Sequence, residues 1–167
     1  VIKDMNGAQI VLADGETAGN TSYNYYNWPY FELGIKGEEN PITSSIDPVL
    51  FQFANPIELL KNPNIKQTVL LSSSEQSSLK PALNYIQLNE VEIENPEEYK
   101  MGKIPMAVLL EGNFNSAYAS RYERKEFPNF KPKTTDGKMI VISDGDVLKN
   151  ALWRGVPMQL GENKFSV

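Results

Sequence analysis

Ser143, Asp144 and Asp146 sit within four residues of one another, directly after the apolar run Met139 to Ile142. Two carboxylates at i and i+2 have two chemical uses. They can share a Mg²⁺ or Ca²⁺ ion, which both prefer oxygen ligands, or they can divide acid and base duties. The same spacing also suits a purely structural role, with one carboxylate capping a helical turn and the other facing solvent. Asp146 is the expected cap, because its side chain can accept the free N–H groups of the turn at residues 147–150. Gly145 is expected to adopt a backbone conformation that side chains disfavour. Asp47 and Glu111 lie beside Pro or Gly at strand ends and read as turn residues.

A second group of chemically useful residues is aromatic. The segment Tyr23 to Phe31, YNYYNWPYF, holds six aromatic rings in nine residues. Rings interleaved with Asn suit the stacking of a sugar or the face of a protein partner. The alternative is that they cover an edge of the core, since aromatic side chains dominate core burial. Trp28, Tyr30 and Phe31 fit the core reading. Tyr23, Tyr25 and Tyr26 fit either, and Tyr23, Tyr25, Tyr26 and Trp28 together form the candidate partner or ligand surface.

Much chemistry is absent. The chain has no Cys and no His. Zinc and most transition metals therefore lose their usual ligands, and Cys–His and Ser–His catalysis are excluded within these residues. No cofactor is expected. The net charge of −5 argues against a nucleic-acid partner, for which a basic patch is expected. No stretch approaches the ~18 consecutive apolar residues of a membrane span. At 167 residues, with 41% hydrophobic and 22% charged, the chain reads as one soluble domain spanning 1–167. It starts at Val1 and stops abruptly at Val167, so it is expected to be a fragment of a larger, membrane-anchored protein.

The positioning elements follow from apolar patterning. Residues 68–71 (TVLL), 104–111 (IPMAVLLE) and 139–142 (MIVI) read as strands buried on both faces. The last runs into a polar turn and a short helical pattern, the β-to-α unit of an α/β sheet, where ligands usually bind. Ser72, Ser73 and Ser74 end the first of these strands and read as an anion cradle or as turn chemistry. Residues 49–54 (VLFQFA) alternate as a strand, and 83–93 as one or two edge strands. Residues 1–12 suggest a hairpin around Asn6–Gly7, and 13–22 a polar loop. Asn95 begins a short helix, with Pro96 at its first position and acids in its first turn. Residues 115–125 are compatible with a helix, while 127–137 and 151–167 read as loops. The fold class is thus α/β: a mixed sheet, including strands around Val69, Val108 and Val141, with few and short helices.

Four segments carry a family resemblance: NWPYF (27–31), NPITSSIDPVLFQFANPIELLKNPNIKQTVLLSSS (40–74), IPMAVLLEGNFNSAY (104–118) and KMIVISDGDVLKN (138–150). In order and spacing they resemble the GldG family of gliding-motility-associated ABC transporter auxiliary proteins. The resemblance implies the C-terminal half of an extracytoplasmic region with a class I glutamine-amidotransferase or flavodoxin-like architecture, but without amidotransferase chemistry, which needs Cys and His. It further implies a non-catalytic accessory domain on the periplasmic face of the cytoplasmic membrane. Its partners would be ABC transporter permease and ATPase subunits, and its anchor would lie outside these residues. The alternative is a glycan- or peptide-binding module that uses residues 23–31.

Overall fold

A computed structural model describes residues 1–17, 20–81, 85–91, 95–121, 128–150 and 152–159. Strands dominate it. In chain order they are β1 (Ile2–Asp4), β2 (Gln9–Thr17), β3 (Asn20–Asn27), β4 (Leu33–Lys36), β5 (Val49–Leu50), β6 (Ile65–Ser72), β7 (Ser77–Leu79), β8 (Pro105–Asn115), β9 (Lys133–Ile142), β10 (Leu152–Trp153) and β11 (Val156–Pro157). The helices among the described residues are single 3₁₀ turns at Leu88–Val91, Pro96–Glu98 and Gly145–Leu148.

The principal sheet has the order β5-β4-β6-β8-β9, and every pairing in it is antiparallel. As expected, Val69, Val108 and Val141 lie in neighbouring strands, paired Val69↔Val108 and Val108↔Val141. The expected β-to-α unit is not found. Parallel strands need a crossover of a dozen or more residues, usually helical, and the strands here return antiparallel. β9 opens only a 3₁₀ turn. The parallel, doubly wound arrangement of a flavodoxin-like sheet is therefore not seen among the described residues.

The apolar core gathers on the half of the sheet where β6 ends and β8 begins. Ile2, Phe51, Ala54, Leu70, Leu71, Ile104, Met106, Ala107 and Leu109 form one buried cluster. Their burial follows from apolar side chains leaving water, at roughly 25 cal/mol per Å². Phe51 lies across β4, which requires Gly34: a Cβ there would sit 2.6 Å from the Phe51 ring. Gly112 serves the other end of the sheet. Its φ of +146° accompanies a register shift in β8, and its missing Cβ admits the Asn64 carbonyl.

Several expectations are corrected. Asn6–Gly7 does not close a hairpin. β1 pairs instead with β7, and β2 with β3, so the turn passes the chain from one two-stranded sheet to another. Residues 13–17 and 20–22 are strand, not loop. Only Val49–Leu50 of the 49–54 stretch is strand, because Phe53 takes φ +57° and breaks the alternation. Of 83–93, residues 88–91 form a 3₁₀ turn rather than a strand, and the rest of that stretch lies partly outside the described residues. Of the expected helix at 115–125, Asn115 ends β8 and residues 117–121 are turns, while 122–127 lie outside the described residues. Strand β9 begins at Lys133, inside the expected loop, and β10 and β11 form a short hairpin in the expected C-terminal loop. The short helix after Asn95 is present, with Asn95 accepting from Glu97 N–H as its cap.

Candidate functional site

The two strand-end aspartates have separate tasks. Asp144 is the cap of the Gly145–Leu148 turn: its Oδ1 accepts from Asp146 N–H at 2.8 Å. Its Oδ2 accepts from Gln52 N–H at 2.8 Å, tying the end of β9 to the segment after β5. Asp146, the cap expected from sequence, instead faces solvent with Lys149 3.7 Å away. The turn is two residues earlier than expected: it is a single 3₁₀ turn starting at Gly145. Gly145 has no positive φ, and a Cβ on it would meet nothing within 4 Å, so no special conformation is needed. Ser143 N–H donates to Met106 O at 2.9 Å, while its hydroxyl oxygen is buried without a partner. The two carboxylates diverge. Among the described residues no group of three His, Cys, Asp or Glu side chains gathers as an ion cage.

The serine run at the end of β6 supplies donors to the chain itself. Asp4, buried on β1, accepts from Ser74 N–H at 2.7 Å, from Ser74 Oγ–H at 2.6 Å and from Asn6 N–H at 2.9 Å. Ser73 Oγ accepts from Ile104 N–H at 2.9 Å. The anion cradle is thus already filled by Asp4, and the run works as turn chemistry.

Sequence reasoning missed Glu32. It is completely buried just before β4. One carboxyl oxygen lies 3.5 Å from Ala54 N–H, at the limit of a hydrogen bond, and the other has no partner. Burial pushes its pKa up to about 8, against the backbone N–H donors that would lower it, and the nearby Asp4 and Asp144 charges push it higher. The only hint in the sequence is an acid placed directly after WPYF. Close by, the buried Tyr30 hydroxyl donates to Glu90, which also accepts two hydrogen bonds from Lys80 at 2.7 and 2.8 Å. Burial alone would raise the Glu90 pKa, but these donors outweigh it and hold the carboxyl below its usual range.

The aromatic segment divides in two. Trp28 is buried, edge-on to Tyr30 with centroids 5.3 Å apart, so it is core and leaves the candidate surface. Tyr23 and Tyr25 are 63% and 70% exposed. They stand on one face of the β2–β3 hairpin, opposite Ala13 and Val11. Tyr26 points to the other face, half-buried, and lines a shallow hollow with Leu12, Leu88 and Val91.

The largest departure from expectation is β9. Met139, Ile140, Val141 and Ile142 are 50%, 47%, 37% and 39% exposed. Consecutive strand residues point to opposite faces, so the strand is open on both faces rather than buried on both. Its outer edge has no strand partner among the described residues. Val141 therefore lies on the solvent side, although it is in the expected sheet. No helix among the described residues is long and apolar enough to cross a membrane.

One family, described as an ABC-type uncharacterized transport system, matches residues 1–167. No curated protein and no solved structure matches the chain.

Proposed function

Because the chain belongs over its whole length to the auxiliary family of ABC-type transport systems, we propose that it is a non-catalytic accessory domain that works by protein–protein contact on the periplasmic face of the cytoplasmic membrane. In this reading the system is of the gliding-motility type. A permease is the direct partner, an ATPase joins through it, and the anchor lies in segments outside these residues.

The observation that carries the reading is the exposed apolar strand. Monomeric soluble proteins rarely leave contiguous apolar patches open, and such patches mark interaction sites. The outer edge of β9, which has no strand partner among the described residues, would add directional backbone bonding to the apolar contact. The separated carboxylates Asp144 and Asp146 offer no comparable basis for chemistry.

The test is co-purification of permease and ATPase with the membrane-inserted protein carrying Ile140→Lys. The charge should reduce recovery of both partners while circular dichroism of the domain stays unchanged. Undiminished recovery with intact folding would refute the assignment of β9 as the contact.

A second reading has its own observation. The adjacent exposed rings of Tyr23 and Tyr25 could stack on a glycan or pack on a peptide. Exchanging both for Ala should leave folding intact. Loss of glycan or peptide binding with transporter association preserved would favour this module over the β9 contact.

A further inference from the structure

The described chain runs over Glu32 in a short segment, residues 51–54, that carries no charged side chain. Hydrogen bonds tie this segment down at every residue. Phe51 N–H donates to Glu32 O at 2.8 Å and Phe53 N–H to Tyr30 O at 2.8 Å. Ala54 O accepts from Ile2 N–H at 2.9 Å, and Gln52 N–H donates to Asp144 at 2.8 Å. Phe53 takes φ +57°, a strained conformation for a residue with a large side chain. Its ring stacks on Tyr30 at 6.2 Å and meets Phe31 edge-on at 5.7 Å.

Beneath this segment lies a carboxyl with no access to water and one unpartnered oxygen. The charged groups facing it are Asp4 from β1 and Asp144 from the turn after β9. Both are acids. No Lys or Arg among the described residues forms an ion pair with Glu32, Asp4 or Asp144. A charge on Glu32 would have neither solvent nor a counter-ion, and two carboxylates would repel it.

We propose that residues 51–54 are a strap held shut by the proton on Glu32, and that the strap loosens when that proton leaves. The chemistry is a single proton transfer to solvent. It creates a carboxylate that can be hydrated only if the segment lifts, and lifting releases the Gln52–Asp144 bond and the strain at Phe53. The sign follows from linkage. The closed state holds the proton more tightly than an open, hydrated one, so closure is favoured at low pH. Closure loses ground as pH rises from the ordinary Glu range to about 8, where the closed-state carboxyl ionises as well. Because Asp144 also caps the turn after β9, an open strap would free the end of that strand. Any consequence for partner contact rests on the proposed function, whereas the strap itself does not.

The experiment is an NMR titration of the 167-residue chain with ¹³C-labelled Glu. The Glu32 carboxyl carbon should titrate well above the ordinary value of about 4.3, and the amides of residues 51–54 should shift with the same midpoint. In Glu32→Gln those amides should show no such transition. A Glu32 midpoint near the ordinary value would overturn the proposal. So would strap amides that ignore the Glu32 titration, or a transition that survives in Glu32→Gln. The wild-type carboxyl titration decides the matter even if the variant fails to fold. A failure of β9 as a partner contact would leave these titrations unchanged.

Discussion

Two neighbouring strands of the same sheet carry almost the same apolar run, and the fold treats them in opposite ways. β8 contains Met106-Ala107-Val108-Leu109, and all four side chains are buried. β9 contains Met139-Ile140-Val141-Ile142, and all four are exposed by a third or more. The strands pair directly, Val108 against Val141. The difference is position: β8 has a strand on each side and Phe51 and Ile2 packed in its cluster, while β9 has a strand neighbour on one side only among the described residues. An apolar run thus states that a surface must be covered without stating what covers it. In β8 the chain covers itself. In β9 the run stays exposed, and for that reason β9 carries the proposed contact.

The comparison is sharpest under truncation. Met106→Ala removes a fully buried side chain from the core cluster and should cost about 2–5 kcal/mol in denaturant unfolding. A cost below about 1 kcal/mol would mean that β8 is not the packed centre.

The strand ends give the next largest effect. Asp144→Ala should remove both a cap and the tie to Gln52, costing about 1 kcal/mol or somewhat more by thermal or denaturant unfolding. Asp146→Ala, at the position a sequence reader would choose as the cap, should stay within about 0.5 kcal/mol. The opposite ranking would show that the turn is capped two residues later, at Asp146.

A small effect is expected of β9 as well. Ile140→Ala should cost under about 1 kcal/mol in the isolated chain, because the side chain is already half in water. A cost matching that of Met106→Ala would erase the contrast and place β9 in the core.

The residues named as a candidate site divide along the same line. Exposure of Tyr23 and Tyr25 was only one of two open readings, because rings interleaved with Asn suit a water-facing surface and the edge of a core equally. Burial of Trp28 was not separable from it, since the segment is one continuous aromatic run and only the tertiary turn at residues 28–31 sends its rings inward. Ser143, Asp144 and Asp146 were legible as a strand end, but their division of labour was not: Gln52, 92 residues away in sequence, claims one oxygen of Asp144. Glu32 was invisible because a lone Glu is expected in solvent, and its burial depends on distant segments, residues 51–54 among them, that pack on it in the folded chain.

Composition, apolar runs and turn residues by themselves determined that this is a strand-rich chain, with its strands around Val69, Val108 and Val141, few short helices, and no Cys or His for metal or nucleophilic chemistry. They could do so because strand propensity, proline geometry and ligand chemistry are local properties of residues. The tertiary structure alone decided that these strands run antiparallel, that β8 is central and β9 outermost among the described strands, that Asp144 and not Asp146 is the cap, and that Glu32 is buried. Those outcomes depend on which distant segments pack together, and pairing partners, burial and dielectric surroundings are properties of the assembled chain.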